Sequence, residues 1–475
     1  MLFLLGCRPY HYSAGFMGSF VVVFTGGAVM RATTSDWRAA FEAWLAPFLA
    51  RLGRVEQRRW APVYLQGLLG PGERKSVEPM AARVAPGDVQ QLHHFISTSP
   101  WRCEPLEEEL VRAADRLVGG SDAVLVIDDT ALVKQGRYSV GVARQYCGQL
   151  GKKANCQALV SLTLARSEVP VCVGLRLFLP RAWAEDAERR ARAGVPEAIP
   201  GRPKWQIALD EINRLQTAGA RFGAVLADAE YGKVADFRRK LSEQGFTWAV
   251  GILPTQTVYP ADVLIAPAVR QRTGRPPRHP VPSARTCSVQ AVVAALPNEC
   301  WQTLSWRRGT KGDLTAEFAA LRVRVADGPV ISRNRRLPGE TAWLVCERRA
   351  SGERKYYLSN HAEDVALKSL AALIKRRWVC EQMHQQMKEE IGLDHFEGRS
   401  WRGLHHHALM TMIAFAFLQH LRLGEKNHQH PGATPNPILA ASAPAAHRHT
   451  QRFRTALSPL PQARALPPTA MKLAE

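Results

Sequence analysis

Three acidic positions in this sequence could share one chemistry. Asp128 closes the run "AVLVID", Asp228 closes "FGAVLAD", and Glu381 lies in "RRWVCEQMHQQMKEEIGLDH". The first two follow continuous apolar runs, which read as strands buried on both faces. A carboxylate at the end of such a strand costs desolvation energy unless it is paired or binds a metal. Two such ends on neighbouring strands would hold two anions close together, and a cation between them is the natural resolution. Magnesium suits it, because it takes oxygen ligands, keeps several waters and needs few carboxylates. Glu381, on a helix packed across the sheet, would be the third ligand. Two ions roughly 3.5–4 Å apart could activate a water or hydroxyl and stabilise the leaving oxygen of a phosphodiester.

The helix that carries Glu381 has a readable face. Arg377, Glu381, His384 and Lys388 are spaced by four, three and four residues and lie on one side. Cys380, Met383, Met387 and Ile391 form the apolar stripe beside them, and Gly392 ends the helix. In this reading Glu381 binds metal while Arg377 and Lys388 touch phosphates on either side. The alternative is a solvated charged face whose i,i+4 pairs contribute only about 0.2–0.5 kcal/mol each.

The elements that must position these acids follow from periodicity. "WRAAFEAWLAPFLARL" puts Phe41, Trp44, Leu45 and Phe48 on one helical face, and helical patterns continue to Leu117. This predicts a small all-α domain over residues 31–118, either a DNA-end-binding module or a plain cap on the next domain. After "AVLVID", the runs "QALVSLTLAR" and "VPVCVGLRLFLP" read as a hairpin joined at Ser167–Glu168. Then come the helix "KWQIALDEINRLQTAG", the strand "FGAVLAD", the helix "KVADFRRKLSEQG" and the strand "FTWAVGIL". Three strands followed by alternating helices and strands give the element order of a ribonuclease-H-like core, and residues 119–253 are assigned to its first part. A dinucleotide-binding fold would alternate from the start and carry GxGxxG, which is missing. Residues 254–362 turn basic, proline-rich and then strand-rich, and predict an all-β insertion. Residues 363–423 return to helix and complete the core. The expected fold class is therefore α/β: a ribonuclease-H-like catalytic core with an all-β insertion, preceded by a small all-α domain. Residues 424–475 read as a disordered tail. Residues 1–30 read as a non-native or disordered extension, with the fold starting near Met30 and a weak signal peptide as the alternative.

Charge narrows the partner. Sixty-three Lys and Arg against forty-two Asp and Glu give a formal net charge of +21, which favours an anionic partner, nucleic acid first. The nine cysteines include no CxxC pair, so neither a zinc site nor a disulfide framework is indicated, and a reducing cytoplasm fits. The apolar stretch "FMGSFVVVFTGGAVM" is too short to span a bilayer, and no membrane association is expected.

The residues around the acids resemble the DDE-type insertion-sequence transposases, in the branch with a strand-rich insertion before the third acid. The resemblance rests on "VIDDTALVKQG", "LADAEYG", "SVGVARQYCGQLGKKANCQ", "LFLPRAWAEDAERR" and "LSWRRGTKGDLTAEFAALRVR", and covers about Trp37 to Leu423. The family's third-acid motif is Tyr, two residues, Arg, three residues, Glu, six residues, Lys. Arg377, Glu381 and Lys388 match it, with Ile374 in place of the tyrosine. The resemblance implies that Asp128, Asp228 and Glu381 are the metal-binding triad, with two magnesium ions that manganese can replace. Asp129 is the rival for the first position, since strand neighbours point to opposite faces. Glu230 rivals Asp228 weakly, and Glu389 and Glu390 read as surface acids.

Further DNA contacts are assigned to Lys134, Arg144, Lys152 and Lys153, with a solvated loop as the alternative. Trp306 and Arg307 are assigned to the element's end, with a core tryptophan as the alternative. Arg270, Arg272, Arg275 and Arg278 would neutralise phosphates without reading sequence. "HHH" at His405–His407 invites a metal reading that helical geometry opposes, because three successive residues never share a face. The resemblance further implies a bacterial, cytoplasmic enzyme, nucleoid-associated when bound to DNA and without a small-molecule cofactor. It would bind double-stranded DNA at terminal inverted repeats, cut by direct displacement and join the 3′ ends to target DNA, as a homodimer in the synaptic complex. The competing classes are a nuclease of the same fold without strand transfer and a non-catalytic DNA-binding derivative.

Overall fold

The computed structural model describes residues 19–23, 29–267, 279–309, 312–332 and 335–429. The arginines at 270, 272, 275 and 278 and the tail from residue 430 lie outside this set. An N-terminal hairpin pairs β1 (Ser19–Val23) with β2 (Val29–Thr33), so part of the expected extension is strand. Five helices follow: α1 (Thr34–Leu49), α2 (Val55–Leu69), α3 (Val77–Val84), α4 (Val89–Ser97) and α5 (Glu104–Val118). Phe41, Leu45 and Phe48 of α1 are buried, as their spacing predicts.

The next stretch builds one end of a large mixed sheet. Its strands are β3 (Val124–Val133), β4 (Ala143–Cys147), β5 (Lys152–Arg166), β6 (Val169–Leu177), β7 (Ala224–Ala227) and β8 (Trp248–Ile252). Between β6 and β8 lie the helices α6 (Arg181–Ala184), α7 (Ala187–Ala193), α8 (Lys204–Thr217), α9 (Ala229–Gly232) and α10 (Ala235–Glu243). Ser167 and Glu168 turn the β5–β6 hairpin with positive φ at both positions, the backbone of a type I′ turn. In the middle of this group the strands stand in the order β6-β5-β3-β7-β8, with β3, β7 and β8 parallel and β5 antiparallel to its neighbours.

The predicted insertion is not a separate body. It contains β9 (Thr257–Pro260), β10 (Ile265–Ala266), β11 (Val281–Pro282), β12 (Cys287–Ser288), α11 (Val289–Ala294), β13 (Gln302–Gly309), β14 (Gly312–Val325), β15 (Val330–Ser332), β16 (Arg335–Arg336), β17 (Thr341–Arg348) and β18 (Arg354–Ser359). Strand β18 pairs antiparallel with β8, as in Tyr357 opposite Gly251, so β9, β12, β13, β14, β17 and β18 extend the same sheet to twelve strands. The block is also not all-β: Ser288 caps α11 by accepting from the Ala291 amide, and Val289, Val292 and Val293 are buried.

The chain returns to helix in α12 (Leu367–Lys375), α13 (Trp378–Glu389) and α14 (Trp401–Gln429). Helix α14 continues past residue 424, where a disordered tail was expected. It packs against β6 and against α2, α4 and α5, so one core runs from Phe41 to Leu418. The first five helices therefore sit on the sheet as a layer sharing its core. No helix among the described residues is long and apolar enough to cross a membrane.

Buried charge fastens that layer. Arg176 of β6 donates to both carboxylate oxygens of Glu107 on α5, at 2.5 and 2.6 Å, and to Glu211 of α8 at 2.7 Å. Burial alone would raise the Glu107 pKa, but the Arg176 guanidinium and its hydrogen bonds, with Arg214 nearby, hold it down at about 2. A carboxyl depressed below its unfolded value contributes stability above the unfolded pKa and loses it as pH falls through the folded one. Urea unfolding should therefore show a contribution of roughly 3 kcal/mol from Glu107 at neutral pH, fading from about pH 4.5 towards pH 2. Glu107→Ala, which leaves Arg176 with Glu211 as its remaining carboxylate partner, should cost roughly 3 kcal/mol at pH 7.

Candidate active site

Asp128 does not end its strand, as the sequence suggested. Strand β3 continues to Val133, and Asp128 stands midway, opposite Ser161 of β5. Alternation sets the two faces. Val124 and Val126 pack with Val379 and Cys380 of α13, and Asp128 follows on that face. Leu125 and Ile127 belong to the other core, and Asp129 follows them. The parallel register matches Ile127 with Ala227, so Asp128 and Asp228 come next, side by side on β3 and just past β7. Asp228 does end its strand: it caps α9, its Oδ1 accepting from the amides of Glu230 (2.9 Å) and Tyr231 (3.4 Å).

Glu381 reaches the pair through Arg377. The Arg377 guanidinium donates to Asp128 Oδ2 and, with its other terminal nitrogen, to Glu381 Oε1. Arg377 also feels Asp228, and although burial opposes its charge, the surrounding carboxylates raise its pKa. Within the chain the charge of Arg377 lies between Asp128 and Glu381. Asp228 is held up at about 6, first by burial and then by the nearby Asp128 carboxylate, with Arg377 opposing. Cys380 Sγ lies 3.3 Å from Asp128 Oδ2, and burial and that carboxylate keep its thiol protonated.

Asp129 is committed elsewhere. It accepts from Tyr231 Oη at 2.7 Å and from Lys204 Nζ at 2.5 Å, and Lys204 also reaches Glu230 at 3.0 Å. Burial works against the Lys204 charge, but the two acids outweigh it and raise its pKa. Both rivals, Asp129 and Glu230, are therefore engaged with Lys204 on the far side of the strand. This bracing was not legible in the sequence, because Lys204 and Tyr231 come from two different helices. His384, on the Arg377 face of α13, is buried with Nε2 2.7 Å from Ser161 Oγ, and burial lowers its pKa to about 4.

Several residues expected at the DNA also have partners within the chain. Lys388 is buried and lies 3.4 Å from Gln149 Oε1, because its face of α13 turns inward. Lys134 donates to the Phe396 carbonyl. Trp306 packs edge-on to Phe318 at 5.8 Å with Lys375 over its face at 4.3 Å, the core-tryptophan alternative. Arg307 pairs with Glu168 and lies over the half-exposed Trp378 ring. Arg144, Lys152 and Lys153 remain exposed on the β4–β5 edge. Glu390 is partly buried and pushed up to about 7, by burial and then by Glu389, so it is no ordinary surface acid. The three histidines are structural: His406 sits between the carbonyls of Ile96 and Trp101, and His407 between Tyr64 Oη and the Gly392 carbonyl. Ile374, in the motif's tyrosine position, is buried in the core beneath α12.

The donor set fits a hard divalent cation. Its ligands would be the carboxylates of Asp128, Asp228 and Glu381, and a positive charge is already seated between two of them. Among the described residues no three His, Cys, Asp or Glu side chains are gathered as a metal site.

Comparison with known proteins gives the same family. Over 187 residues the chain is 31% identical to "Probable transposase for insertion sequence element IS701" from Microchaete diplosiphon, covering 39% of this chain and 46% of that protein. The match thus spans about half of the relative's length. The fold also resembles the cryo-EM structure of a piggyBac transposase synaptic complex with hairpin DNA, at a TM-score of 0.40 and 9% identity over 90% of this chain and 83% of that one. The model of the DDE superfamily endonucleases matches residues 47–313, a stretch that holds Asp128 and Asp228 and stops before Glu381. More than half of the chain lies within that match, and the protein belongs to the DDE superfamily of endonucleases.

Proposed function

We propose that the chain is a DNA transposase that binds the terminal inverted repeats of an insertion sequence, cleaves phosphodiester bonds and joins the freed 3′ ends to target DNA. The single observation that carries this is the bridge from Asp128 through Arg377 to Glu381, beside Asp228. It joins a third acid, outside the matched stretch, to the two inside it. The strand order β6-β5-β3-β7-β8 with β5 antiparallel supports a ribonuclease-H-like core for residues 119–253 and 363–423, extended by the strands of 254–362. Residues 31–118 serve in this reading as a layer on that core. The net charge of +21 suits double-stranded DNA, at both the element's ends and the target, and two ends in synapsis call for at least a homodimer.

In this reading Asp128, Asp228 and Glu381 hold two divalent ions, magnesium by preference with manganese as a substitute. Bound there, the ions would supply Lewis-acid activation of the attacking oxygen and charge stabilisation at the leaving one. The chain's own residues set the frame. The β3–β7 register holds the two aspartates side by side, and the α9 amides orient Asp228. Lys204 and Tyr231 hold Asp129 away from the acids, so a single carboxylate of the Asp-Asp pair faces them. Arg377 keeps the acids from repelling one another and is near enough to turn towards a phosphate when a cation takes its place.

The test uses duplex DNA bearing the repeats that border the chain's own gene. The wild type should cut at the repeat ends with magnesium or manganese and join the 3′ ends to a second duplex. Cleavage without joining would favour the nuclease, and binding without cleavage the non-catalytic derivative. Asp128→Asn, Asp228→Asn and Glu381→Gln should each lower cleavage by roughly 10³-fold or more and leave gel-shift affinity for the ends unchanged. Asp129→Asn should still cleave; loss of cleavage in that variant alone, with Asp128→Asn active, would reassign the first acid. In unfolding experiments without divalent ions, Arg377→Ala should lose ~1–3 kcal/mol, because the carboxylates lose their charged donor. Arg377→Lys should recover only part of that, since an ammonium cannot bridge two acids as the planar fork does.

A further inference from the structure

Beyond the acids, strand β3 runs into a cleft of about 350 Å³ between the loop 134–139 and the segment 394–399. Its size falls in the range of small-ligand clefts. Tyr138 stands on its rim with 49% of its surface exposed. The guanidinium carbons of Arg137 and Arg399 lie 5.2 and 5.6 Å from its ring centre. Neither arginine has an ion-pair partner among the described residues, whereas Arg74 is paired with Glu397 across the cleft. Lys134, at the cleft floor, has only the Phe396 carbonyl as a hydrogen-bond acceptor, and burial lowers its pKa despite the nearby Asp394 and Glu397. The loop itself is braced: Asn155 Nδ2 donates to the carbonyls of Lys134 (2.7 Å) and Gly136 (2.9 Å).

An exposed aromatic ring beside two guanidinium groups that lack carboxylate partners, one of them (Arg137) donating to the Tyr138 hydroxyl at 3.1 Å, with a desolvated ammonium nearby, is the donor set for a base and its phosphate. Bases stack on aromatic faces whatever their sequence, and guanidinium groups bind phosphate oxygens in forked pairs. The cleft begins at Val133, five residues along β3 from Asp128, about 17 Å at the usual rise per residue. A strand held at the acids could reach it within several nucleotides. We propose that this cleft binds an unstacked nucleotide of the DNA strand leading away from the acids, its base on Tyr138 and its phosphate against Arg399 and Lys134. The proposal rests on the reading that the protein acts on DNA.

The test measures binding without divalent ions, apart from any cleavage, using the full chain and a fluorescently labelled ten-residue oligothymidylate in anisotropy titrations at fixed salt. The wild type should bind it. Tyr138→Ala should weaken binding by ~5–100-fold, the range of one lost base stack, and Tyr138→Phe should restore it. Arg399→Ala should weaken it as well, and a ten-base-pair duplex should be affected less than twofold by either tyrosine substitution. Tyr138 is a surface residue, so its variants should keep the wild-type melting temperature. No binding by the wild type, no change in Tyr138→Ala, or an equal loss for the duplex would overturn the proposal. Failure here would leave the acid variants' loss of end cleavage untouched, and failure of cleavage would leave this binding measurable.

Discussion

Carboxylates gathered on one face of a buried sheet repel one another, and the arrangement of this protein follows from how that repulsion is met. Asp128 and Asp228 are brought side by side by the parallel pairing of β3 with β7, a register that the apolar residues before them enforce. Helix α13 lays its buried stripe across the same face and carries Glu381 to the pair. Positive charge between the acids offsets that repulsion. Arg377, at the start of the helix, supplies it. The guanidinium donates to Asp128 and Glu381 and also acts on Asp228.

The opposite face of β3 is handled differently. Asp129 meets a lysine and a tyrosine and is fully engaged. Two adjacent aspartates on one strand therefore have two fates. One lies beside like charges with an arginine as counter-ion, and the other is held in a hydrogen-bonded network. The sheet also explains why the strand-rich segment is continuous with the strands that carry the aspartates. By pairing β18 with β8 it extends the sheet from the edge nearest Asp228, and it sets Arg307 over Trp378, next to Arg377.

Much of the architecture was legible because the signals were local. A continuous apolar run such as 123–127 can hardly be anything but a buried strand, and Ser167–Glu168 between two such runs marks a turn. Boundaries were less legible. An aspartate pair looked like a strand end, yet β3 continues through Thr130 to Val133 because Thr130 and Leu132 are buried against their neighbours. Lys388 and His384 share a face with Arg377 by spacing, and spacing says nothing about whether that face meets solvent. Here it meets β5 and the turn before it, so both side chains are buried.

The sequence by itself determined which acids were candidates, the alternation that separates Asp128 from Asp129, and the spacing that links Arg377 to Glu381 one turn later. These depend on periodicities of two and 3.6 residues, which are properties of the backbone. Tertiary structure alone decided which cation faces which acid. It turned Arg377 inward onto Asp128, drew Lys204 and Tyr231 from separate helices onto Asp129, and buried His406 and His407 against the N-terminal helices. Those partners lie between seventy-five and more than three hundred residues apart, and only the packing of helices on a sheet can bring them within hydrogen-bonding reach.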